Sequence, residues 1–290
     1  MNLQVEALRV ELGGTTLVED FSLTLVPGRV HAVVGESGSG KTLSALAVMG
    51  LLPEGVSSTA RTRLDAKCAM VLQEPLSALN PVMRIGAQLE ETLVVHGDRA
   101  ARAVELLAEV GLPEPAARLE LYPHQLSGGQ RQRVSIACAL AASPQVLIAD
   151  EPTTALDASV RGVILSLLRR LARERGVAVW LITHDLLSVR EASDDVTVMY
   201  AGRVVEAAPT QTLLSAPRHP YTRALWASNP AGARRGEPLP SLPGAVPLAS
   251  ERIGGCRFHP RCPKAIARCA SERPELRGGV ACHLAEEATR

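Results

Sequence analysis

The stretch VHAVVGESGSGKTLSALAVMG, residues 30–50, constrains the fold more than any other part of the chain. VHAVV has the make-up of a short buried strand. KTLSALAVM has helical period, and Pro53 stops the helix soon after. Between them GESGSGKT, Gly35 to Thr42, matches G-x-x-x-x-G-K-[ST]. A strand that runs through a glycine-rich turn straight into a helix makes a phosphate cradle. Its backbone N–H groups can curl round an anion, and the helix N-terminus adds partial positive charge. Lys41 is expected to reach the β- and γ-phosphates of a nucleotide, and Thr42 to hold Mg2+. Gly35, Glu36, Ser37, Gly38, Ser39 and Gly40 supply the loop. The glycines do not make a dinucleotide fingerprint, which would leave the lysine and threonine unexplained.

A second acidic signal follows downstream. QVLIADE puts Asp150 and Glu151 at the carboxyl end of an apolar strand, where α/β sheets present ligand-binding groups. Asp150 is expected to bind Mg2+ directly or through water, and Glu151 to polarise the water that attacks the γ-phosphate. The rest of the chain has matching organisation. LQVEALRVEL, FSLTLV, KCAMVLQ and VAVWLITH read as strands, and DVTVMYAGRVVEAA as a hairpin. IGAQLEETLVVHG, RAARAVELLAEVG, GGQRQRVSIACALAA and SVRGVILSLLRRLARERG read as helices. Apolar strands alternating with helices predict an α/β core with a mainly parallel sheet. From residue 227 to 255 the composition shifts to Pro, Gly, Ala and Arg, which reads as a linker.

Bulk properties exclude several classes. The net charge of +1 gives no global field for nucleic acid, and seven aromatic residues (two Phe, two Trp, three Tyr) argue against a base-stacking platform. The first residues lack a basic stretch followed by an apolar one, so no secretory leader is expected. No uncharged apolar run reaches the roughly 18 residues needed to span a bilayer.

LSGGQ, Leu126 to Gln130, opens a further helix with Ser127, Gly128, Gly129 and Gln130 and gives a second anion-binding N-terminus. With this motif in place the chain resembles the ATP-binding cassette (ABC) transporter ATPases over nearly its whole length. LSGGQ resembles the family's signature motif. Gln73 in LQEP resembles its Q-loop residue, Asp157 in ALD its D-loop residue, and His184 in ITHD its switch histidine. The resemblance implies a P-loop NTPase fold with a RecA-like core and a helical subdomain at about 76–134. It implies hydrolysis of ATP with Mg2+, in a head-to-tail dimer that sandwiches ATP between one phosphate loop and the other subunit's signature motif. Gln73 would sense Mg2+ and the attacking water, and His184 would contact the γ-phosphate.

EPLSALNPVMRIGAQLEE and HPYTRAL, followed by the linker and cysteines, resemble the oligopeptide/dipeptide importer branch, which also includes nickel and metallophore importers. That implies a second ATPase subunit, two membrane permeases, indirectly a solute-binding protein, and a place at the cytoplasmic face of the membrane. The different-class alternative is a soluble ABC ATPase without permeases; the long coiled coil or second cassette of such proteins is absent from this sequence. Two departures stand out. Leu12 occupies the place of an adenine-stacking aromatic, and the stretch from Lys41 to Gln73 is short, so part of the antiparallel subdomain is expected to be trimmed.

The chain divides on this reading into a nucleotide-binding domain at 1–226 and an extension at 227–290. The extension holds Cys256, Cys262, Cys269 and Cys282, spaced C-x5-C-x6-C-x12-C. Four thiolates can ligate zinc or an iron–sulfur cluster. The close C-x2–4-C pairs of structural zinc are missing, so the spacing suits a larger cluster, and the branch resemblance implies [4Fe–4S]; zinc and no metal at all stay open. His259 and His283 flank the ligands. Cys68 and Cys138 read as small core residues. The linker is expected to keep the extension remote from ATP chemistry.

Overall fold

The computed structural model describes residues 3–74, 78–154, 156–228, 242–251 and 254–287. Most of the Pro-rich stretch and the first residues of the expected helical subdomain, 76 and 77, lie outside the described residues. The strands are β1 (Gln4–Leu12), β2 (Thr15–Thr24), β3 (Val30–Val34), β4 (Val56–Thr59), β5 (Cys68–Val71), β6 (Val146–Asp150), β7 (Ala178–Thr183), β8 (Asp195–Tyr200) and β9 (Arg203–Pro209). The chain divides into two units.

The first unit takes Leu25–Val30 and Asp65–Ile182. Strands β5, β6 and β7 run parallel, with Cys68 opposite Val146 and Val146 opposite Ala178. All five residues of β6 and all six of β7 are buried, which is why they read as unbroken apolar runs. The helices are Ile85–Val95, Arg102–Glu109, Pro115–Leu119, Gly128–Ala141 and Ala158–Arg175. Ile85, Leu89 and Leu93 recur every four residues and face the core, where their helix packs on Gly128–Ala141. Ala158–Arg175 is capped by the Asp157 carboxylate and stopped by Gly176 in a left-handed conformation.

The second unit takes the chain up to Thr24, His31–Leu64, and the chain from Thr183 onward. An antiparallel sheet has the order β2-β1-β4. The short Lys41–Gln73 stretch yields a β4 of only four residues, paired on the edge of β1. Strands β3 and β8 are parallel, and β8 and β9 form the expected hairpin. Helix Lys41–Met49 follows β3. Helices Leu186–Ala192, Thr210–Ser215 and Pro220–Ala227 cover a core of Val34, Val198, Tyr200, Leu213, Tyr221 and Phe258.

The extension packs on this second unit instead of lying apart from it. Phe258 is 1% exposed inside that core, and Cys256 and Cys262 pack against it. The backbone joins in as well: the Ala207 N–H donates to Gly279 O at 2.8 Å and the Ala281 N–H to Val205 O at 2.9 Å, so residues 279–281 cover the outer edge of β9. Arg203, Arg257 and Arg273, two of them from the extension, converge on the Glu19 carboxylate of β2. Burial works to raise the Glu19 pKa, yet the Arg203 hydrogen bond and the three guanidinium charges hold it below the ordinary carboxylate range.

Candidate nucleotide-binding site

The phosphate loop belongs to the second unit. Gly35 follows β3 directly, and a Cβ there would sit 2.2 Å from the Met199 carbonyl oxygen, so only glycine fits. Gly40 caps the helix Lys41–Met49 with φ 97°, where a Cβ would also lie 2.8 Å from Val18 Cγ2. Lys41 is 6% exposed, and its Nζ donates to Gly35 O at 2.8 Å, Glu36 O at 3.0 Å and Ser39 Oγ at 3.4 Å. The ammonium therefore lies inside the curl of the loop, with the loop's own oxygens as partners. Ser37 and Gly38 are exposed, as is Thr42 in the first helical turn, and Ser39 is buried. The donor set fits a nucleotide polyphosphate: a cationic lysine, a hydroxyl and backbone amides at a helix start.

Two side chains outside the loop touch its second residue. The Glu36 N–H donates to the Tyr221 hydroxyl at 3.0 Å, and the Glu36 carboxylate accepts from Arg261 Nη1 at 3.0 and 3.2 Å. Neither partner was legible as such in the sequence; HPYT stood out only as a motif. Its local chemistry is plain in the structure. His219 caps helix Pro220–Ala227, its Nδ1 accepting from the Tyr221 N–H at 3.0 Å, and Pro220 fills the first helical position. Glu206 accepts from the backbone N–H groups of Arg218 and His219. His184 stands exposed just beyond β7, and the Asp185 carboxylate caps the next helix.

The acidic pair belongs to the first unit. Asp150 ends β6 and is 5% exposed. Glu151 extends the ladder by one bond, its N–H donating to Ile182 O at 2.8 Å, and then turns with φ 45°. Its Oε2 accepts from the Thr154 hydroxyl at 2.9 Å and from Gln73 Nε2 at 3.3 Å. The geometry thus brings Gln73 and Glu151 together, and it adds Thr154, which sequence reasoning did not single out. Ser127 and Gln130 form a reciprocal capping box at the start of Gly128–Ala141. The serine hydroxyl is exposed at a helix N-terminus, as an anion site needs. Gly129 is buried, Gly128 lies beside Leu156, and Asp157 is spent on capping its own helix. Leu12 is 47% exposed.

All six cysteines are free thiols. Among the described residues no group of three His, Cys, Asp or Glu side chains is placed to hold a metal ion, so the four-cysteine ligand set for [4Fe–4S] or zinc is not assembled. The four thiols do share one neighbourhood. Burial pushes Cys256 up to about 11, with added repulsion from Cys269 and Cys282, and burial likewise raises Cys262. The cause at Cys256 and Cys262 is the same, an apolar surrounding that disfavours the thiolate. Cys68 and Cys138 are half-buried, and burial pushes them to about 11 and about 12.

Comparison with known proteins agrees with this geometry. Residues 18–154 match the family described as ABC transporter, and residues 205–269 the family described as oligopeptide/dipeptide transporter, C-terminal region. The chain is 44% identical to the dipeptide transport ATP-binding protein DppD of Escherichia coli (strain K12), over 94% of this chain and 92% of that protein. It is 43% identical to a putative peptide import ATP-binding protein of Brucella melitensis, over 97% and 92%. Among solved structures, cbiO1 of Clostridium perfringens, part of the ABC transporter complex cbiONQ, superposes with TM-score 0.65 and 25% identity over 74% of this chain and 91% of that one. A bacterial ABC transporter cassette solved as a dimer gives 0.60 and 27% over 71% and 98%. The chain belongs to the ATP-binding proteins of the ABC transporter family, in its oligopeptide/dipeptide branch.

Proposed function

We propose that the chain is the ATP-hydrolysing subunit of an importer for short peptides. The observation that carries the nucleotide half is the buried Lys41 ammonium, held inside a loop with no room for a Cβ at Gly35. The peptide half is supported by the near full-length likeness to proteins named for dipeptide and peptide transport. Lys41 and the loop amides bind the phosphates, and Thr42 and Asp150 would hold Mg2+, which when bound would neutralise phosphate charge. Glu151 takes the proton side of the attacking water, with Gln73 and Thr154 fixing its carboxylate. His184 reads the γ-phosphate. Ser127, Gly128, Gly129 and Gln130, with Asp157, serve ATP held by a second ATPase subunit. Residues 1–226 act as the nucleotide-binding domain and 227–290 as its extension.

Among the described residues no helix is long and apolar enough to cross a membrane. By its likeness to transport ATP-binding proteins, this chain works with two separate permeases, bound at their cytoplasmic face, with a solute-binding protein delivering peptide. We further propose that metal binding draws Cys256, Cys262, Cys269 and Cys282 together as a [4Fe–4S] cluster. Iron and sulfide in anaerobically purified protein support that reading, zinc replaces it, and neither refutes it. The function is tested with Lys41→Ala. Calorimetric ATP binding in Mg2+ is lost in this variant, and labelled dipeptide uptake fails in cells that rely on it. Unchanged ATP affinity removes the site assignment; uptake of nickel in place of dipeptide shifts the substrate.

A further inference from the structure

We propose that Arg261 and Tyr221 are positioning residues of the phosphate loop, through which the C-terminal extension and the HPYT helix set the affinity for nucleotide. The proposal rests on the reading of that loop as the nucleotide site.

The reason begins with an oddity. A loop that must welcome three phosphates carries a carboxylate at its second position, Glu36. Left alone, that charge repels the ligand. Arg261 neutralises it: Nη1 reaches both carboxylate oxygens, and Arg261 is buried while the Glu36 side chain is partly exposed, so the pair is screened less than one on the open surface. The arginine has little freedom to leave. Its Nε donates to Pro243 O at 2.8 Å, Nη1 also reaches the Tyr200 hydroxyl at 3.3 Å, and the guanidinium lies 5.7 Å from the Tyr200 ring centroid.

Tyr221 fixes the same residue from another side. Its hydroxyl accepts the Glu36 N–H, so that amide is committed to the protein and the curl of the loop starts from a pinned point. Tyr221 is fully buried, and its ring sits 4.7 Å from Tyr200 and 5.4 Å from Phe258 between ring centroids. Phe258 and Arg261 both come from the extension. The third polar group of Glu36, its carbonyl, accepts from Lys41. One loop residue thus links the extension, the HPYT helix and the phosphate-binding lysine. Moving Arg261 or Tyr221 moves the oxygen that orients Lys41.

The experiment measures ATP binding in Mg2+ with the full chain. Arg261→Ala leaves the Glu36 charge facing the loop, and the Kd for ATP rises on the order of tenfold, the scale of a charged hydrogen bond. Adding Glu36→Gln to Arg261→Ala removes that charge and recovers most of the loss, whereas Glu36→Gln alone changes the Kd less than Arg261→Ala does. A bracing role for Arg261 unrelated to Glu36 gives no such recovery. Tyr221→Phe deletes one oxygen, keeps the ring packing, and raises the Kd about fivefold. Should Arg261→Ala fail to fold, Tyr221→Phe decides alone. Wild-type affinity in Tyr221→Phe, or no recovery in the double variant, overturns the proposal. The Lys41→Ala control separates the two readings. If wild type binds ATP, Lys41→Ala does not, and the Arg261 and Tyr221 variants bind normally, only this inference falls; if wild type does not bind ATP, the nucleotide reading itself falls.

Discussion

Glu151 is the place where backbone strain and chemistry coincide, and three substitutions separate them. Its φ of 45° is the left-handed region, which costs a residue with a Cβ about 1–2 kcal/mol. The conformation is imposed from both sides. The Glu151 N–H must still meet Ile182 O, and its carbonyl accepts from the Thr154 N–H at 3.1 Å as the chain turns at Pro152. Glu151→Ala removes the carboxylate and keeps the strain. Glu151→Gly removes both. Glycine ordinarily costs about 0.5–1 kcal/mol relative to alanine through its greater freedom when unfolded. Subtracting that from the relieved strain leaves Glu151→Gly more stable than Glu151→Ala by about 1 kcal/mol, a reversal of the usual order. For a chain of this size that is about 2–4 °C in melting temperature. Glu151→Gln retains the strain and the bond from Thr154, so it melts close to wild type. All three should lose ATP hydrolysis by orders of magnitude while still binding ATP, because the group that polarises water is gone. The assay pairs thermal melting of the nucleotide-free chain with phosphate release. An alanine variant as stable as the glycine variant would refute the strain argument; wild-type turnover in Glu151→Gln would refute the role.

Two further predictions come from other positions. A Cβ on Gly129 would lie 2.4 Å from Val160 Cγ1, and a β-branched residue on a helix has no easy rotamer to yield, so Gly129→Ala should destabilise by about 1–3 kcal/mol. Val160→Ala in the same chain should restore most of it; denaturant melts that show no loss, or no restoration, reject the clash. His219 is neutral because burial pushes its pKa down to about 4 from 6.5. Between those values the unfolded chain holds a proton that the folded chain does not, so stability rises with pH through that window. Acidifying from pH 7 to 4 removes up to about 3 kcal/mol from this group alone. His219→Asn keeps a capping acceptor without titrating in this range, and its melting temperature should depend less on pH than wild type; equal slopes would dismiss the assignment.

The phosphate loop, the buried strands β6 and β7 and the hairpin were legible because their signals are local: glycine spacing, unbroken apolar runs, and a turn between alternating stretches. Strand β4 was not, since VSST is short and polar and is a strand only through its pairing with β1. The early part of β2, Thr15 to Asp20, was hidden for the same reason. The contact between Tyr221 and Glu36 spans 185 residues, and nothing in HPYT announces where its hydroxyl goes. The linker composition was silent on where the extension docks. A Pro-rich stretch says how stiff a connection is and not where its far end docks. The cysteine spacing gave the chemistry open to four thiols, and the fold gave them burial without a ligand cage.

The docking of residues 279–281 along β9 has a consequence for handling the protein. A strand at the margin of a sheet offers a row of unsatisfied amides and carbonyls to any passing chain, and uncovered margins are templates for aggregation. Here the Gly279 and Ala281 backbones occupy that row, and Gly279 is tight enough that a Cβ would meet Ala207 O at 2.4 Å. A cassette cut off before the extension would keep every nucleotide motif and lose its selvage. Such a fragment should precipitate or form sticky oligomers at concentrations where the whole chain stays dispersed, and it would lose the Arg261 contact to Glu36 as well.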